Sequence, residues 1–265
     1  MTTLACTRAE LCVEITPSQG CEGQACATDV ASGMNLSLKL PGAQRDPGQT
    51  HYQLADLSST DEDSSFQLWP KLIRFEGGIL AGVETQVRTM YSGGGASSST
   101  LHLIAFLPGQ APFKVLSVPQ SASVMIRACF SEHDMKQRAG ACHDEYSFNG
   151  SLALTGASVA AMPVLRYRSK ATTFPGPVSR SKDSLAGRPL HKRDIITVTD
   201  PQCSYQRLYH FEPTARAYVA ISLSPTALIT PCPDNHCAKH GVHPDCVTAK
   251  KMRQSSPRMN WALLA

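Results

Sequence analysis

The chain has 265 residues, of which 42% are hydrophobic and 17% charged, with 18 Gly, 18 Pro and 10 Cys. That length holds one large domain or two smaller ones, and no stretch approaches the roughly 20 apolar residues of a membrane-spanning helix, which together predict a soluble globular protein. The net charge of +4 conceals an asymmetry: residues 1–150 hold 10 Lys/Arg against 15 Asp/Glu, residues 151–265 hold 15 against 6.

The N-terminal 26 residues contain Cys6, Cys12, Cys21 and Cys26, four disulfide candidates in a segment poor in periodicity. Staples of this kind order such a segment against a sheet. An even cysteine count without thioredoxin-type or zinc-ribbon spacing is the pattern of an oxidising compartment. It predicts a secreted or periplasmic location, although Met1–Ala5 carries no basic or apolar stretch of a signal peptide.

Period-two alternation then dominates. Leu36, Leu38 and Leu40 alternate with Ser37 and Lys39, and Val83, Thr85, Val87, Thr89 and Tyr91 alternate with Glu84, Gln86 and Arg88. Both patterns predict half-buried strands. A third strand over Leu101, Leu103, Ala105 and Leu107 is separated from the second by Ser92–Thr100, which reads as a long mobile loop. Further strands are expected at 71–76, 113–118, 123–130, 145–154, 163–168, 194–199, 204–211 and 217–223. Residues 41–49, the acidic run 58–65 and the Pro-rich stretch 174–184 read as linkers.

One segment breaks the alternation. Ser131 followed by Asp134 has capping-box spacing, and Gly140 supplies a stop, predicting a short helix between two strands. Cys129 and Cys142 sit at its two ends as a further disulfide candidate pair; the alternative is that Cys129 points across the sheet. The expected fold class is therefore all-β, a sandwich or open barrel of roughly ten strands with one short helix. The expected division is a stapled β domain over 1–224 and a basic tail over 225–265, mostly disordered.

Four constellations bear on chemistry. Arg166, Arg168, Lys170, Arg180, Lys182, Arg188, Lys192 and Arg193, with only Asp183 interleaved before Asp194, form a candidate patch for an anionic polymer or surface. Cys232, Cys237, His240 and Cys246 lie in a 15-residue run that also holds His236 and His243. They supply the thiolate and imidazole ligands of a tetrahedral zinc site, zinc being the one cofactor the sequence suggests, although an oxidising compartment favours disulfides there. His133 and His143, flanked by Glu132, Asp134, Asp144 and Glu145, are candidates for general acid–base or metal chemistry if the helix ends converge. Tyr205, Tyr209, Phe211 and Tyr218 read as cross-strand pairs covering a sheet face rather than as stacking platforms.

Other signals are weaker. Ser179–Lys182 has Ser-x-x-Lys spacing without its usual partner motifs, and Asp61–Asp63 lacks the Gly and distal Glu of a calcium loop. Asn35 and Asn149 stand in glycosylation sequons. With no nucleophile elbow, His-Glu-x-x-His motif or phosphate loop, the sequence favours a non-enzymatic binding or structural domain of unassigned ligand. A hydrolase or metal enzyme built on His133 and His143, or a zinc module at Cys232–Cys246, are the alternatives.

Overall fold

The computed structural model describes residues 3–6, 12–17, 34–39, 51–57, 64–156, 162–178 and 184–221. Cys21, Cys26, Arg180, Lys182, the whole cysteine–histidine run from Cys232 to Cys246 and the rest of the expected tail fall outside them.

The described chain is almost entirely strand. A small antiparallel sheet contains β1 (Thr3–Cys6), β2 (Cys12–Pro17), β3 (Met34–Lys39) and β4 (His51–Gln53) in that order. The large sheet contains β5 (Ser64–Phe75), β6 (Gly78–Tyr91), β7 (Gly94–Phe106), β8 (Phe113–Arg127), β9 (His143–Leu154), β10 (Leu165–Phe174), β11 (Val198–Asp200), β12 (Gln206–Glu212) and β13 (Ala217–Ala220). It is an antiparallel meander from β5 to β10. Beyond β10, one edge pairs β12 over Leu165–Arg168 and β11 over Ala171–Thr173. The only α-helix among the described residues, α1 (Glu132–Gln137), begins where expected: Ser131 caps it by accepting from the Asp134 backbone N–H at 3.1 Å.

Two apolar clusters hold the sheets. In one, Val13, Ile15, Leu36, Tyr52 and Leu54 pack on Leu68, Ala81, Val83, Ile104 and Phe106, so the small sheet covers one face of β5–β7. In the other, Leu101, Leu103, Ala105, Val115 and Val118 meet Leu152, Leu165, Tyr167 and Tyr218. β7 contributes to both, which explains why its second half is buried on both faces and reads as a continuous run, Leu103-Ile104-Ala105-Phe106.

The second cluster forms because the large sheet folds over on itself. β8 pairs with β7 over Phe113–Ile126 but with β9 only over Ser121–Arg127. The divergence begins at Pro119 and Gln120, where the register with β7 shifts. Proline lacks the N–H a ladder needs and is tolerated at a bulge. The bulge bends β8, and the leaf carrying Leu152, Leu165 and Tyr167 closes onto the Leu101 face. Gly150 permits this, since a Cβ there would collide with the Pro119 carbonyl oxygen and stand 2.7 Å from the Tyr167 hydroxyl.

Three expectations require correction. Ser92–Thr100 is not a loop: only Ser92 and Gly93 turn, Tyr91 pairs with Gly94, and β7 continues through Gly95, Ala96 and Ser97. The segment lacks β-branched residues before Thr100, but pairing with a strand on each side outweighs propensity. At Gly94 any side chain would strike the Met125 carbonyl, so glycine here marks close backbone approach rather than a flexible tip. The two strands expected at 113–118 and 123–130 are one strand, β8, which ends at Arg127. In addition, Lys192–Asp194 is a 3₁₀ turn rather than the start of a strand, and β11 begins only at Val198.

Candidate functional site

The antiparallel register aligns side chains in rows that cross the strands. Arg88 lies opposite Ser97, Ser97 opposite Ser123, Ser123 opposite Ser147, Ser147 opposite Thr172 and Thr172 opposite Thr199. The neighbouring row runs Gln86, Ser99, Ser121, Asn149, Lys170. Because alternate residues share a face, these two rows lie on the same side of the sheet. From β6 to β10 they cross four strand spacings, about 19 Å at ~4.8 Å each.

The rows are polar and mostly open to solvent. Arg88, Ser123, Ser147, Asn149, Lys170 and Thr199 are exposed, and Ser99 is buried. Hydroxyls pair across strands: Ser97 with Ser123, Ser99 with Ser121, and Ser147 with Thr172, each at 2.8 Å. A pair of hydroxyls uses one hydrogen between them and keeps a second donor and spare lone pairs for a ligand. The pairing also fixes where those groups stand.

The expected cationic patch is partly assembled on this face. Arg166, Arg168 and Lys170 alternate along β10 and share the rows' side of the sheet, opposite Ala153, Ser151 and Asn149. Arg168 donates its Nε–H to the Gln206 side-chain oxygen at 2.6 Å, which holds the guanidinium while leaving its terminal nitrogens. Arg188 does not contribute. Its two terminal nitrogens grip the Asp194 carboxylate at 2.7 and 2.8 Å, and this pairing, with the His191 backbone N–H, holds Asp194 well below the usual carboxylate range. Lys192 and Arg193 are exposed on the 3₁₀ turn and belong to neither row. Carboxylates on the same side are Glu145, opposite Met125 and Phe174, Glu212 at the end of β12, and Glu84, half-buried with its pKa raised by burial.

Two carboxylates of the histidine–carboxylate constellation are engaged by other groups. Asp144 points inward to a buried ion pair with Arg138, while its neighbour His143 is exposed, as period-two alternation requires. Asp134 is engaged in capping, accepting from the Phe130 backbone N–H at 2.9 Å, and these bonds depress its pKa. No group of three His, Cys, Asp or Glu arranged to hold a metal is present among the described residues. The expected disulfide is there: Cys129 and Cys142 are bonded, with Cα atoms 4.8 Å apart. Cys12 is also disulfide-bonded.

A histidine not singled out in the sequence has the more ordered surroundings. His102 on β7 is buried, with Nε2 3.1 Å from Thr85 Oγ1 and Nδ1 2.9 Å from Ser117 Oγ. Burial, then the charge of Lys114, lowers its pKa to about 4. A neutral imidazole satisfied on both nitrogens by hydroxyls is a structural cross-strand link, and the pKa leaves it a feeble general base. Only the register, not the spacing of His102, Thr85 and Ser117 in the chain, reveals this group.

The aromatics of the C-terminal strands pack rather than project. The Tyr167 and Tyr205 rings are 5.9 Å apart, those of Phe211 and Tyr218 are 5.8 Å apart, and all four belong to the folded-over core or pack against it. An open groove of about 500 Å³ lies between the β5 bulge and the end of β9, lined by Trp69, Lys71, Leu72, Ile73, Leu152 and Leu154. No family model matches the chain, and no match was found among curated proteins or solved structures.

Proposed function

We propose that this protein is a non-enzymatic, extracytoplasmic binding module that holds an extended anionic polymer across the β6–β10 face. The observation that carries the reading is the placement of Arg166, Arg168 and Lys170 on one side of β10, with Lys170 in register with Ser121 on β8 and exposed Asn149 on β9, and with exposed Ser123 and Ser147 in the next row. Cations beside a polar sheet face steer an anionic chain to it, and donors held in fixed rows supply short-range contacts. The Cys129–Cys142 bond and the bonded Cys12 favour an oxidising compartment. The test is affinity for soluble polyanions as a function of salt, with Arg166→Glu, Arg168→Glu and Lys170→Glu combined. Binding should weaken steeply with added salt and fall at least tenfold in the triple variant while its thermal unfolding stays close to that of the parent. Binding insensitive to both ends the proposal.

A further inference from the structure

We infer that the polymer is a polysaccharide bearing spaced carboxylates, a uronate-containing chain, lying across the strands along the two hydroxyl rows. This rests on the proposed binding role and specifies its ligand class.

The chemistry of the rows selects against the other common polyanions. A nucleic acid strand carries a phosphate at every nucleotide and binds through dense cations together with aromatic stacking platforms. Within the two rows the cations stand at the ends, Arg88 on β6 and Lys170 on β10, with Arg166 and Arg168 further along β10. Arg127 on β8, on the same side beyond Met125, lies over the Phe130 ring and donates its Nε–H to the Cys129 carbonyl. The strands between them carry Ser97, Ser99, Ser121, Ser123, Ser147 and Asn149, and neither row contains an aromatic ring. The nearest aromatic on this side, Phe174, lies one row further on and is only partly exposed. A heavily sulfated chain would likewise leave most of its charges over neutral hydroxyls.

A polyol with occasional carboxylates fits each part. Its hydroxyls exchange hydrogen bonds with the Ser97–Ser123 and Ser147–Thr172 pairs, which keep unused donor and acceptor capacity. The amide of exposed Asn149 offers both a donor and an acceptor beside Lys170. The terminal nitrogens of Arg168, held by Gln206, present the planar fork that takes a carboxylate through two parallel bonds. In the adjoining row exposed Met90 and Met125, either side of Gly95, offer apolar surface to the ring C–H faces at the β6–β8 end, while exposed Glu145 beyond Met125 turns the chain's carboxylates toward Arg168 and Lys170.

The experiment is a calorimetric or biolayer comparison of the full chain with polygalacturonate, heparin, a dT20 oligonucleotide and neutral dextran at one salt concentration. The variants are Arg168→Glu with Lys170→Glu, and Ser123→Ala with Ser147→Ala and Thr172→Val. Thermal unfolding of each variant confirms that it is folded. Polygalacturonate should bind most tightly, dextran should not bind, the charge variant should lose at least tenfold, and the hydroxyl variant about fivefold to tenfold. Tighter binding of heparin or dT20, or polygalacturonate binding untouched by the hydroxyl variant, overturns the ligand class while leaving the anion-binding proposal standing. Absence of binding to all three polyanions overturns both.

Discussion

Tyr167 and Pro119, 48 residues apart in the chain, are joined by a hydrogen bond in which the Tyr167 hydroxyl donates to the Pro119 carbonyl at 2.7 Å. The ring passes over Gly150 to make it, so one contact ties the bulge of β8 to the leaf that folds over it. Burial pushes the Tyr167 hydroxyl well above the usual phenol range, which keeps it a donor throughout the working pH range. Tyr167→Phe should cost about 1 kcal/mol through the lost bond. Gly150→Ala should cost more, about 1–3 kcal/mol, because the added methyl meets backbone on one side and the packed tyrosine on the other. Urea unfolding of the two variants against the parent checks the order.

His102 gives stability a dependence on acid. Its folded pKa of about 4 lies below the ordinary value of 6.5, so the unfolded chain takes up the proton first. The contribution is therefore complete above about pH 6.5 and is lost as pH falls toward 4, amounting to about 3 kcal/mol over that window. His102→Gln, which keeps hydrogen-bonding capacity without titrating in this range, should flatten the stability profile between pH 6.5 and 4 in denaturant melts, apart from the share due to carboxylates.

The Cys129–Cys142 bond closes a loop of about 14 residues around α1, for which chain-entropy arguments give about 3 kcal/mol. Replacing both by serine should lower the urea midpoint accordingly. Alkylation of the unreduced parent, followed by peptide mass analysis, should find neither cysteine labelled.

Arg138, inside this loop, forms an ion pair with Asp144 just beyond it on β9, with both side chains buried, and also donates its Nε–H to the Ala141 carbonyl at 2.8 Å. Arg138→Ala would strand a buried carboxylate and should cost about 3–5 kcal/mol, whereas Arg138→Met combined with Asp144→Leu should cost far less. A double-mutant cycle separates the two effects.

The sequence is most readable where a feature depends on neighbours in the chain. Ser131 and Asp134 mark the start of α1, the cysteines at its ends do bond, and the alternation from Val83 to Tyr91 is a strand. Features that depend on register are hidden. Ser97, Ser123, Ser147 and Thr172 are scattered over 76 positions of the chain and look like loop and surface residues until β6–β10 align them. The Gly-Gly-Gly run resembles a flexible tip because composition does not reveal that β8 approaches Gly94 closely. Basic residues 166–193 look like one patch, yet period two sorts Arg166, Arg168 and Lys170 onto the sheet, while Arg188 is occupied by an acid six residues along.

The meander has a consequence for how the chain acquires its shape. From β5 to β10 every strand pairs with its neighbour in sequence, so each new pairing closes only a short loop and its entropic cost stays small. Such a sheet can assemble in stages, hairpin by hairpin, as the chain leaves the ribosome. The Leu101 face, however, remains bare until Leu152, Leu165 and Tyr218 have been made. The interval between synthesis of β8 and β13 is thus the period in which the nascent chain is most open to aggregation, and a chaperone that acts on it would have its greatest effect there.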